Sequence, residues 1–190
     1  MRQMDAVRIN TVDLRKNALR LKAGDRVLLS GRVFTARDAA HKRLYELLQK
    51  DATLPFNIQN ACFYYAGPTP APPGVVIGSC GPTTSGRMDK YTPLLLKSGL
   101  TGMIGKGTRS EDVRKAIAQY HAVYFCAIGG AGALAAKCIL ESEQVAFDDL
   151  GCESVKRLLL RDFPLIVGID AFGTDIYNQI TEEKANGNDR

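Results

Sequence analysis

The 190-residue chain has no tryptophan and no block of Lys and Arg interleaved with aromatic residues. A nucleic-acid partner is therefore not expected, despite a net charge of +5. Nor is a membrane partner, since no stretch reaches the roughly 18 apolar residues of a spanning helix. The opening MRQMDAVRIN lacks an apolar core, so no secretory leader is expected. The five cysteines, Cys62, Cys80, Cys126, Cys138 and Cys152, are odd in number and scattered, with no C-x-x-C. Reduced thiols and a cytoplasmic location follow as expectations. The motif GxGxxG is absent, and GKGT lacks the upstream glycine of a P-loop. The scattered positive charge suits an anionic small molecule or an acidic partner surface.

What is present reads as one soluble α/β domain over 1–190, with the last ten or so residues frayed. Val27–Ala36 is apolar and β-branched, a strand with Gly31 as a bulge. Helical spacing follows over Ala36–Lys50. Further strands are predicted at Asn60–Ala66, Gly74–Ser79, Thr101–Ile104 and Ala122–Ala127, with a Pro- and Gly-rich loop after Ala66. Helices are predicted over Gly86–Ser98, flawed by Pro93, over Glu111–Tyr120 behind a Ser110 cap, and over Ala131–Ile139. Strand-like pieces close the chain near Val145, at Val155–Leu160 and at Leu165–Ile169. The middle third alternates strand and helix, as parallel βαβ units do, and the ends are more purely β. The expected architecture is mixed, with sheets and helices in layers, and differs from a plain Rossmann fold.

Three features carry candidate chemistry. The stretch GPTTSGRMDKY, from Gly81, sets Thr83, Thr84 and Ser85 in a row before Arg87. A helix cap needs one such hydroxyl, Thr84 or Ser85, and leaves the others and Arg87 without a task. A small dicarboxylate needs two or more cationic partners, and arginine matches a carboxylate bidentately. Arg37, in TARDAAH, stands at a second strand-to-helix junction, where ligand sites of α/β sheets gather. His41 follows one turn later and reads equally as a surface helix residue. Lys106 lies in a glycine turn, Gly105-Lys106-Gly107, whose N–H groups are free to face an anion. The GGAG turn at Gly129–Gly132 reads as close strand–helix packing.

GPTTSGRMD resembles the motif of the iron–sulfur class I fumarate hydratase and L-tartrate dehydratase family, in its β subunit or C-terminal domain. TARDAAH (35–41), YYAGP (64–68), IGKG (104–107), IGGAGALAAKCI (128–139) and DFPLIVGIDAFGTDIY (162–177) resemble the family's other motifs in order. The resemblance implies a swivelling β/β/α domain that closes over an iron–sulfur domain. It implies an α-subunit partner holding a 4Fe-4S cluster, in a heterodimer or α2β2 assembly. The scattered cysteines agree, since a cluster needs converging thiolates. Cys80 reads as a buried apolar thiol.

The reaction implied is reversible hydration of fumarate to (S)-malate, with iron as Lewis acid on the leaving hydroxyl. By resemblance Thr83 is the C3 base, Thr84 binds substrate, and Arg37, Arg87 and Lys106 clamp carboxylates; His41 receives no role. GCESVKRLLLRDFP (151–164) departs from the family's pattern, which bears on interface or subfamily. The GGAGALAAK form favours fumarate over tartrate or a methylated fumarate. Two readings of other classes stand beside this one: a non-catalytic domain that binds an organic acid, and a nucleotide-binding module built on GKG and GGAG.

Overall fold

The structure, a computed structural model, describes residues 6–179. The frayed C-terminus expected from sequence lies outside the described residues. β1 (Val7–Asn10) leads through a 3-10 turn into α1 (Leu14–Asn17) and a second 3-10 turn ending at Arg20. These elements are too short to leave a periodic signal, and the sequence did not announce them. β2 (Arg26–Thr35) buries every second residue from Val27 to Thr35. The bulge expected at Gly31 is there: the register slips between Leu29 and Gly31, and Gly31 adopts φ +107°. A side chain at that position would strike Thr11 Oγ1 at 2.3 Å.

α2 (Asp38–Gln49) and β3 (Cys62–Tyr64) follow as expected. The strand expected at Gly74–Ser79 is absent; these residues form turns, with Val75 and Val76 exposed. The reason is topological. β3 already pairs with β4 (Gly102–Gly105), so no edge is open there, and Gly74 adopts φ +76°. The helix expected over Gly86–Ser98 is split into a 3-10 turn, Ser85–Met88, and α3 (Thr92–Lys97). Pro93 sits in the first turn of α3, where a missing N–H is harmless. α4 (Glu111–Tyr120) begins at Ser110, whose hydroxyl accepts from the Val113 N–H at 3.4 Å. β5 (Val123–Cys126), α5 (Gly132–Lys137) and β6 (Ile139–Ala146) follow. The two pieces expected at Val155–Leu160 and Leu165–Ile169 are one 15-residue strand, β7 (Val155–Ile169). It bends through Asp162, at φ +47°, where Ser30 Oγ accepts the Asp162 N–H at 2.9 Å in place of a ladder bond.

The sheet runs β1-β2-β3-β4-β5-β7-β6, and β7 also pairs with β2. That pairing closes a ring of β2, β3, β4, β5 and β7. β1 to β5 are mutually parallel, while β7 is antiparallel to β2, β5 and β6. Leu29, Val33, Tyr64, Ile104, Phe125, Leu158 and Val167 fill the ring. The alternate residues Phe63, Tyr65, Met103 and Tyr124 meet Leu44 of α2, Leu95 and Leu96 of α3, and Val113 and Ile117 of α4. Burial on both faces is what parallel strands require. The layers are thus strand, strand and helix, the mixed α/β architecture expected. Among the described residues no helix is long and apolar enough to cross a membrane.

Candidate active site

Because β2 to β5 run parallel, their C-terminal ends share one edge of the ring. Arg37 leaves β2 there and occupies the N-cap position of α2. Lys106 leaves β4, and the GGAG turn leaves β5. The motif segment enters between the extensions of β3 and β4. The Thr83 N–H donates to Tyr65 O at 2.6 Å, and the Ser85 N–H to Lys106 O at 2.9 Å. Thr84 and Lys106 form a parallel bridge. Thr83 is half-buried and Thr84 exposed. Among the described residues neither spends its hydroxyl on an internal hydrogen bond, and the Lys106 ammonium has no ion pair.

The helix-cap reading of this stretch is wrong. Thr84 holds the cap position of the 3-10 turn without a side-chain cap bond. Ser85 is fully buried, and its Oγ lies 3.0 Å from Tyr124 Oη while accepting the Lys106 N–H at 3.1 Å. Gly105 makes room for it, since a Cβ there would sit 1.9 Å from Ser85 Oγ.

The arginines meet at Asp38. Arg87 Nε donates to Asp38 Oδ1 at 2.8 Å and Nη2 to Oδ2, while Arg37 Nε stands 3.7 Å from Oδ2. Arg37 Nη2 lies 3.4 Å from Glu153, whose other oxygen accepts the Ala39 N–H at 2.8 Å. The Arg87 guanidinium beside Asp38 holds that carboxyl below its ordinary range. Arg87 is therefore not a bare cation. Among the described residues its second edge, Nη1 with the remaining Nη2 proton, donates to no acceptor.

A further cation was missed. Arg109 has a fully buried side chain that donates to Asp89 at 2.7 Å and to Thr92 Oγ1 at 2.9 Å. It lies 5.0 Å from the Tyr124 ring centroid and 5.4 Å from that of Tyr65. Asp89 also accepts the Ser110 N–H at 2.5 Å. One arginine among many basic residues gives no sign of burial in sequence, and nothing there marks Asp38 as the carboxylate that two arginines share. His41, which the sequence leaves between the Arg37 cleft and the helix surface, is fully buried. Its Nδ1 stands 3.0 Å from Arg37 O, and its Nε2 has no partner among the described residues.

Among the described residues no three His, Cys, Asp or Glu side chains gather to hold a metal. The two buried thiols, Cys62 and Cys80, do not suit an iron–sulfur cluster. Burial raises Cys62 far above its usual value and pushes Cys80 up to about 12, away from the thiolate that ligation needs. A cavity of about 350 Å³ lies under α5, bounded by Tyr64, Pro82, Ile128, Leu134 and Phe163. Its apolar walls hold none of the candidate cations. Pro82, which precedes Thr83, is the motif residue that lines it.

A family model described as Fumarase C-terminus matches residues 1–180. The chain belongs to this family. Its relatives include the anaerobic class I fumarate hydratase of Escherichia coli K12, 39% identical over 84% of this chain and 29% of the relative. Fumarate hydratase 1, mitochondrial, of Leishmania major is 40% identical over 82% of this chain and 29% of the relative. The chain thus spans less than a third of these enzymes' length. A third relative, from Methanocaldococcus jannaschii, is provisionally named L(+)-tartrate dehydratase subunit beta. It is 36% identical over 89% of this chain and 90% of its own length. The resemblance carried by GPTTSGRMD is borne out at the level of the family.

Proposed function

We propose that this chain is the β subunit of a two-chain hydro-lyase that hydrates fumarate reversibly to (S)-malate. It supplies a base and carboxylate partners, and a separate α subunit carries a 4Fe-4S cluster in the cytoplasm. The observation that carries the reading is the row of Thr83, Thr84 and Lys106. These three polar groups, unpaired among the described residues, lie at shared strand ends, in the same loop cluster as Arg37 and Arg87.

This chain's share of the reaction is the C3 proton and the two carboxylates. Thr83 Oγ1 takes the C3 proton of malate in elimination and returns it in hydration. A threonine hydroxyl is a weak acid, so its alkoxide needs positive charge close by. In this reading Lys106, bridged to the neighbouring Thr84, and Arg87 supply it. Thr84 donates to one carboxylate. Arg37, Lys106 and the second edge of Arg87 hold the carboxylates, and Asp38 keeps the Arg87 fork aligned. Such cations stabilise the enolate-like charge that develops beside the carboxylate at C3 deprotonation.

A second reading, L(+)-tartrate dehydratase β subunit, is favoured by the length match to the archaeal relative. Tartrate also presents two carboxylates and a hydroxyl beside an abstractable proton, so the same residues serve it. The experiment is anaerobic co-expression with the α subunit. Hydration of fumarate and dehydration of malate and of tartrate are then compared with the chain alone. Activity should require both chains. Turnover by the isolated chain, or none by the assembly with any of the three acids, would overturn the proposal.

A further inference from the structure

Tyr124 and Ser85 are both fully buried, on the face of the sheet that meets the helices. Buried hydroxyls must be hydrogen-bonded, and here the Gly107 carbonyl at one end and the Lys106 N–H at the other set the directions between them, with the Cys126 thiol also beside Tyr124. Gly107 O only accepts, so the Tyr124 hydroxyl, 2.8 Å away, donates to it. Having spent its proton, Tyr124 Oη accepts from Ser85 at 3.0 Å. Ser85 Oγ in turn accepts the Lys106 N–H at 3.1 Å. The order is Lys106 N–H to Ser85, Ser85 to Tyr124, and Tyr124 to Gly107 O. The chain starts and ends on the Lys106 turn, which it clasps from N–H to carbonyl. The Ser85 N–H to Lys106 O bond closes the same turn against the threonine row. Arg109, fixed by Asp89, packs against the Tyr124 ring and holds its plane.

We propose that Tyr124 is a positioning residue, which acts through Ser85 to hold Lys106 in register with Thr83 and Thr84 for carboxylate binding. The assignment rests on the reading of Lys106 as a carboxylate partner. Full burial keeps Tyr124 away from substrate, and it pushes the phenol well above its ordinary pKa, so its proton stays available for donation. Hydroxyls polarised in sequence strengthen one another, so losing either weakens the whole clasp.

The test uses the assembled enzyme with Tyr124→Phe and Ser85→Ala. With fumarate and with malate, KM should rise about tenfold in each and kcat should fall as well, because Lys106 both holds a carboxylate and supplies charge to the Thr83 alkoxide. The double variant should be no worse than the poorer single one, because one chain is cut twice. Placing Tyr124→Phe in a Lys106→Ala background should leave KM where Lys106→Ala put it. Hydrogen exchange at the Lys106 amide should quicken at least about tenfold in both single variants. A lower melting temperature with unchanged KM and unchanged Lys106 exchange would reduce Tyr124 to a core residue and overturn the proposal. If Tyr124→Phe does not assemble, Ser85→Ala removes a single oxygen and carries both readouts. If the parent assembly turns over none of the acids, the functional reading fails, and Lys106 exchange still decides the clasp.

Discussion

His41 makes the stability of this domain sensitive to mild acid. Its ring is enclosed by Phe63, Tyr65 and Tyr91, with no exposed surface. Nδ1 faces Arg37 O and so carries the proton, leaving Nε2 bare and unpartnered. A second proton would place a charge in this apolar pocket with no acceptor and with Arg109 nearby. Burial, opposed in part by the Arg37 carbonyl, lowers the pKa from 6.5 to about 4. Between those values the unfolded chain binds more protons than the folded one. Stability is therefore full above about pH 6.5 and falls as pH falls toward 4. At about 1.4 kcal/mol per tenfold change in proton affinity, the whole effect is about 3 kcal/mol, and about 2 kcal/mol is lost by pH 5. His41→Phe keeps an aromatic ring and removes the titration. Losing the Nδ1 hydrogen bond shifts the variant by a constant of about 1 kcal/mol at every pH. Other groups titrate alike in both proteins and cancel in the difference. Denaturant unfolding of the two chains between pH 7.5 and 5 is the assay. Parallel stability curves over that range would refute the buried, neutral histidine.

Asp89→Ala strips the buried Arg109 of its counter-charge and should cost about 3 kcal/mol, the scale for breaking a buried pair. Thermal unfolding checks it, and a loss under about 1 kcal/mol would mean that the flanking tyrosines suffice. Arg87→Lys keeps the charge but not the two-sided fork. It should raise KM for the dicarboxylate about tenfold or more in the assembled enzyme, and an unchanged KM would remove Arg87 from the clamp.

The loop cluster was legible in sequence because each strand that feeds it ends in a turn signal. TARDAAH breaks from β2 into α2, and GKG breaks β4 after a fully buried run. Ser110 with its early acids announced α4 to within a residue. The run Val75–Ile77 misled because apolar residues report burial or contact, while pairing also needs an open edge. The ring closure was invisible: Arg26 pairs with Ile166 across the whole chain, and no local pattern encodes that register. The gap between the two predicted pieces, 161–164, is continuous strand because Ser30 and the Gly31 bulge accommodate the bend from the opposite strand. In the proposed site, residue type alone pointed to Thr83, Arg87 and Lys106. The clasp under them was hidden, because Ser85 and Tyr124 have functions set only by which neighbours their hydroxyls reach.

The central claim is that Thr83 moves the C3 proton. Exchange of that proton of malate with deuterated solvent, in the assembled enzyme, measures it directly. Thr83→Val keeps the shape and removes the hydroxyl. Exchange and kcat should fall by on the order of a hundredfold or more, with KM little changed, as for a positioned base. A Thr83→Val enzyme that exchanges the proton at the parent rate would contradict the account and assign the base to the partner subunit.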